Sequence, residues 1–86
     1  MKYSIEVLPR AIKELEKIPD PLYRRIVSII DNLKYVPRPV STLKLKGYES
    51  RWRIRVGDYR ILYEIDNMNR IITITKVGHR KDIYKV

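Results

Sequence analysis

Arg51-Trp52-Arg53-Ile54-Arg55-Val56-Gly57-Asp58-Tyr59-Arg60-Ile61-Leu62-Tyr63-Glu64-Ile65 is the stretch whose reading decides the fold. Apolar and charged residues alternate on both sides of Gly57-Asp58, which reads as two antiparallel strands joined by a two-residue link. Glycine in the first position suits a type II′ hairpin turn. That link sets the register: Val56 faces Tyr59, Arg55 faces Arg60, Ile54 faces Ile61 and Arg53 faces Leu62. Directly opposed side chains share a sheet face. Trp52, Ile54, Val56, Tyr59, Ile61 and Tyr63 thus form one apolar face. Arg51, Arg53, Arg55 and Arg60 project from the other.

The second face carries a physical cost. Like charges directly across a ladder are destabilising, by up to about 1 kcal/mol for a pair. Glu64 and Asp58 are the nearby acids, enough to offset one or two of the four arginines. A row of guanidinium groups matches a row of phosphates, because each planar fork binds phosphate oxygens bidentately. Arginines that merely keep one face wet also fit the alternation, although solvation alone more often uses a mixture of Lys, Thr and Glu. The pattern favours a polyanion ligand, with RNA the leading candidate.

Outward from the hairpin, Asp66-Asn67-Met68-Asn69 makes the next turn, and Arg70 to Val77 is a β-branched strand. Upstream, Leu43-Lys44-Leu45-Lys46 reads as a short strand before Gly47. Tyr3-Ser4-Ile5-Glu6-Val7 alternates as a first strand. Pro9 opens a helix in which Ile12, Leu15 and Ile18 recur at helical spacing, ending at Pro19. Asp20 is the expected N-cap of a second helix. Its stripe is Leu22, Ile26, Ile29, Ile30 and Leu33, and Pro37-Arg38-Pro39 stops it. The expected architecture is α+β: an N-terminal strand, a two-helix antiparallel hairpin, then an antiparallel β-meander with both helices on one sheet face.

Composition bounds the function. The 86 residues suit a single domain over 1–86, and 44% apolar with 34% charged residues is too apolar for a disordered chain. No run approaches the ~20 apolar residues of a membrane span, and the first residues lack a signal-peptide pattern. A cytoplasmic protein without membrane contact is expected. With no cysteine and His79 as the sole histidine, disulfides are excluded and a zinc site is disfavoured. The net charge is +9. The residues through Ser41 carry +3 of it and the remainder +6, so the basic excess follows the hairpin.

Leu45-Lys46-Gly47, Trp52 to Tyr63, and Val77-Gly78-His79-Arg80-Lys81-Asp82-Ile83-Tyr84, taken in order, resemble the RelE branch of the RelE/ParE toxin superfamily. The likeness covers essentially the whole chain. It implies the toxin of a toxin–antitoxin pair, with a cognate antitoxin, the ribosome and mRNA as partners and no cofactor or metal. RelE-like members cut mRNA in the ribosomal A site by attack of a ribose 2′-OH on the adjacent phosphodiester. The family's functional positions fall on Arg53, Arg55, Arg60, Arg80 and Tyr84. Arg51, Lys44, Lys46 and Lys81 are expected to extend the RNA contact.

One departure matters chemically. Arg53 and Arg55 stand where the best-known members carry lysines, and arginine effectively cannot lose its proton. They can neutralise a phosphorane but are poor general bases. Histidine is the residue type suited to proton transfer near neutral pH, so His79 is the candidate base, against the alternative of an exposed loop histidine. Tyr84 can stack on a base, orient the 2′-OH or donate a proton, or simply cover the core edge. Two other readings stand beside cleavage: a ParE-like inhibitor of DNA gyrase, and an RNA- or ribosome-binding translation inhibitor that does not cut.

Overall fold

The computed structural model describes residues 2–40, 42–45, 47 and 50–81. Its elements run β1 (Ser4–Val7), α1 (Pro9–Glu16), α2 (Leu22–Asn32), β2 (Thr42–Lys44), β3 (Arg51–Val56), β4 (Tyr59–Asp66) and β5 (Ile71–His79). The five strands form one sheet in the order β1-β5-β4-β3-β2. β2 to β5 make the expected antiparallel meander. β1 adds to it in parallel, pairing Ile5 with Ile72 and Val7 with Ile74. The sheet is therefore mixed, and the chain's first strand lies beside its last.

The hairpin register is the one the two-residue link dictates, from Val56 opposite Tyr59 to Arg53 opposite Leu62. Gly57 has φ +58° while Asp58 keeps a negative φ, as a type II′ turn requires. Ile54, Val56, Ile61 and Tyr63 are at most 2% exposed. They pack with Ile65, Ile72, Ile74 and Val77 against Leu15, Ile18, Ile26, Ile30 and Leu33 of the helical hairpin. Non-directional burial of this apolar surface is the main force holding the layers together.

Two helical details differ from expectation. Ala11 and Leu15, with Ile18 just beyond the helix, carry the buried stripe of α1, and Ile12 is 47% exposed. The small side chain of Ala11 lets the helix lie close on the sheet and rotates Ile12 toward Tyr23 and Val27 of α2. Asp20 does not cap α2. The cap residue is Pro21 with no side-chain bond, and the Asp20 carboxylate sits 3.7 Å from Arg24 Nε one turn on.

The tyrosine in the core meets the rule that buried hydroxyls find partners. Tyr63 Oη donates to the Pro37 carbonyl at 2.8 Å and lies 3.2 Å from Thr42 Oγ1. This ties the connection after α2 to the middle of the sheet. Among the described residues, no helix is long and apolar enough to cross a membrane.

Candidate RNA-binding face

Register alone sorts the sheet face turned away from the helices into rows about 7 Å apart along the strands. At the hairpin tip, Arg55 faces Arg60, and Arg60 faces Gly78 of β5. The next row holds Leu43, Arg53, Leu62 and Lys76. Then come Arg51, Glu64, Thr73 and Glu6, and last Asp66, Ile71 and Ser4. Charge is thus graded along one face, from cationic at the turn to acidic at the opposite end. Arg51 marks the boundary, its Nε 3.6 Å from Glu64 Oε2. An open hollow of ≈ 660 Å³ lies at the acidic end, lined by Glu6, Glu64, Asp66 and their neighbours, and none of the arginines reaches it.

The arginines are not equally wet. Arg55 is exposed and Arg53 half-buried, whereas Arg60 retains only 9% exposure. An exposed Arg60 is the expectation; the structure instead buries this side chain on β4, the central strand. Arg60 Nη1 donates to the Tyr59 carbonyl at 3.4 Å. A desolvated guanidinium directly across from Arg55 strengthens the local positive potential at this end of the face.

The end of β5 departs from simple alternation. Tyr63 pairs with Ile74 and Leu62 with Lys76, leaving Thr75 as an extra residue in a β-bulge. Counted without the bulge, Val77 and His79 would share the arginine face. With it, Val77 turns into the core at 1% exposure and His79 falls opposite Tyr59 on the helix side. The imidazole meets the Tyr59 ring edge-on at 5.5 Å between centroids. His79 Nδ1 accepts the Lys81 backbone N–H at 3.2 Å. The structure therefore separates the candidate base from Arg53, Arg55 and Arg60, and brings Lys76 to them instead.

The remaining candidates divide similarly. Arg80 is held at the hairpin turn, its N–H donating to the Asp58 carbonyl at 2.7 Å and its Nε 3.7 Å from Asp58 Oδ1. Lys81 is exposed just beyond it. Lys44 pairs with Trp52 and so lies on the helix side of the edge strand, away from the arginines. Lys46 and Tyr84 lie outside the described residues. Lys76 was not foreseen. Its signal in the sequence is the spacing of Ile72, Ile74 and Val77, two residues and then three, which breaks the alternation where the bulge lies.

Residues 5–84 match the family model described as the ParE toxin of the type II toxin–antitoxin system parDE. The chain belongs to this toxin family. Toxin RelE3 of Methanocaldococcus jannaschii is 37% identical over 78 residues, covering 85% of either chain. A second relative from that organism is 32% identical over 88 residues, covering 99% of this chain and 98% of its own. Among solved structures, the archaeal RelE–RelB complex from Pyrococcus horikoshii contains a chain that superposes with a TM-score of 0.84 at 31% identity. That match covers 95% of this chain and 99% of the other. The RelE/ParE resemblance read from the motifs is thus confirmed, as is the α+β architecture.

Proposed function

We propose that this toxin is a metal-independent endoribonuclease that cuts ribosome-bound mRNA in the cytoplasm. The 2′-OH of one nucleotide attacks the adjacent phosphodiester, the bond to the 5′-oxygen breaks, and a 2′,3′-cyclic phosphate remains. One observation supports the reading: Arg53, Arg55 and Arg60 occupy adjacent rows of the sheet face turned away from the helices, with Arg55 directly opposite the buried Arg60. Fixed cations aimed at a developing phosphorane act where charge accumulates in the transition state, and such stabilisation is commonly the largest catalytic contribution. Arg80, anchored at the same end of the hairpin by Asp58, adds a further cation. The acidic end disfavours phosphates, which confines the RNA backbone to the half of the face nearest the turn.

The toxin acts with a cognate antitoxin in this reading, consistent with the RelE–RelB complex of the Pyrococcus relative. An acidic segment suits the +9 charge of the chain. Placement of His79 across the sheet from the arginines favours a second reading, in which the face grips RNA and blocks translation without cutting. Primer extension on programmed ribosomes with purified protein separates the two. New 5′ ends within the A-site codon support cleavage, and ribosome binding without new ends supports the non-cutting inhibitor. Inhibition of DNA supercoiling by gyrase, with no effect on ribosomes, would overturn both.

A further inference from the structure

We propose that Lys76 is a substrate-contacting residue of the arginine face, binding the RNA phosphate backbone beside Arg60 and Arg53; the proposal rests on the RNA-binding reading above. Strict alternation would bury Lys76 toward the helices. The bulge at Thr75 reverses it, setting Lys76 opposite Leu62 in the row that also contains Arg53. It lies diagonal to Arg60, a separation of roughly 7–8 Å that a lysine stem readily bridges.

The reversal is held from both sides. Thr75 Oγ1 donates to the Leu62 carbonyl at 3.2 Å. Val77 N–H donates to Glu14 Oε1 of α1 at 2.9 Å, on the side of β5 that β1 flanks only as far as Ile74. Val77 itself is anchored in the core. Three contacts on two flanking residues thus fix the direction of one lysine. Bulges commonly re-aim side chains beside functional sites. The residue facing Arg60 on β5 is Gly78. A phosphate bound along these rows meets guanidinium groups and one ammonium.

The test uses a short 2′-O-methyl oligoribonucleotide, which cannot be cleaved, titrated into the intact protein and followed by NMR. Wild type, Lys76→Ala, Lys76→Gln, Arg60→Ala and Lys13→Ala are compared. Lys13 lies exposed on α1, so its loss removes the same charge from the other side of the molecule. Lys76→Ala and Lys76→Gln should each weaken binding about tenfold, as expected for one charge-assisted contact. Each should reduce the slope of log K against log salt by about 0.7. Lys13→Ala should leave affinity within about twofold, because screened distant charges contribute little. Lys76 variants that bind like Lys13→Ala, while Arg60→Ala is weakened, would overturn the role of Lys76 and leave the face intact. A wild type that does not bind the oligonucleotide at all would overturn both. The glutamine variant keeps most of the stem, so a misfolded alanine variant does not prevent the comparison.

Discussion

The two faces of this sheet are built from the same strands and obey opposite rules. On one, Ile54, Ile61, Tyr63 and Ile72 give up water to helices and to one another. On the other, Arg53, Arg55 and Arg60 set like charges in adjacent rows. Side chains two residues apart along β4 belong to the first face, and their immediate neighbours to the second. The first face stabilises the molecule; the second spends some of that stability to hold a charge pattern in readiness. Substitutions should therefore divide: helix-side changes lower stability, and changes at Arg55 on the other face alter the proposed RNA contact with little or even opposite effect on stability.

The largest effect on stability belongs to the covered face. Ile72→Ala removes a fully buried side chain where β1, β5 and β4 meet, and should cost about 2–5 kcal/mol in denaturant unfolding. A cost below 1 kcal/mol would show that the helices pack loosely there. Tyr63→Phe keeps the ring and deletes the hydroxyl that donates to Pro37. It should cost about 1–2 kcal/mol, because the hydrogen bonds to the Pro37 carbonyl and with Thr42 are both lost. On the other face, Arg55→Thr should reverse the sign. Relief from Arg60 and a β-branched side chain should raise stability by up to about 1 kcal/mol while RNA binding falls. Lower stability for this variant would mean that the arginine pair supports the fold.

The smallest effect lies at the far end of the sheet. The Asn69 backbone N–H, and then its side-chain amide, hydrogen-bond the Asp66 carboxylate and hold its pKa below the ordinary 3.8. Because the folded value is the lower one, the stabilisation is complete above pH 3.8 and is lost as pH falls through the folded pKa. Asp66→Ala should therefore melt earlier than wild type at neutral pH, with the gap closing in strong acid. A gap independent of pH would remove the ionised carboxylate from the explanation.

How far the sequence could be read follows from these same faces. The hairpin register was legible because a two-residue Gly57-Asp58 link leaves one way to align alternating strands. The helices and their layer were legible from periodicity, apart from the contest between Ala11 and Ile12, which only the contact with the sheet decides. The parallel pairing of β1 beside β5 had no local signal, since pairing of strands distant in sequence depends on the finished sheet. Arg60 was assigned to the right face but not to its burial, a property of the neighbouring strands. The bulge at Thr75 had the largest consequence for the site. An irregular spacing of three apolar residues was its sole trace, yet it moved His79 to one face and Lys76 to the other.

RNA cleavage at the arginine face is tested by primer extension on programmed ribosomes with wild type beside an Arg55→Ala/Arg60→Ala double variant. Wild type should give new 5′ ends in the A-site codon. The double variant should be slowed by at least about 10²-fold while remaining folded. A folded double variant that cuts at the wild-type rate would show that these arginines do not carry the reaction.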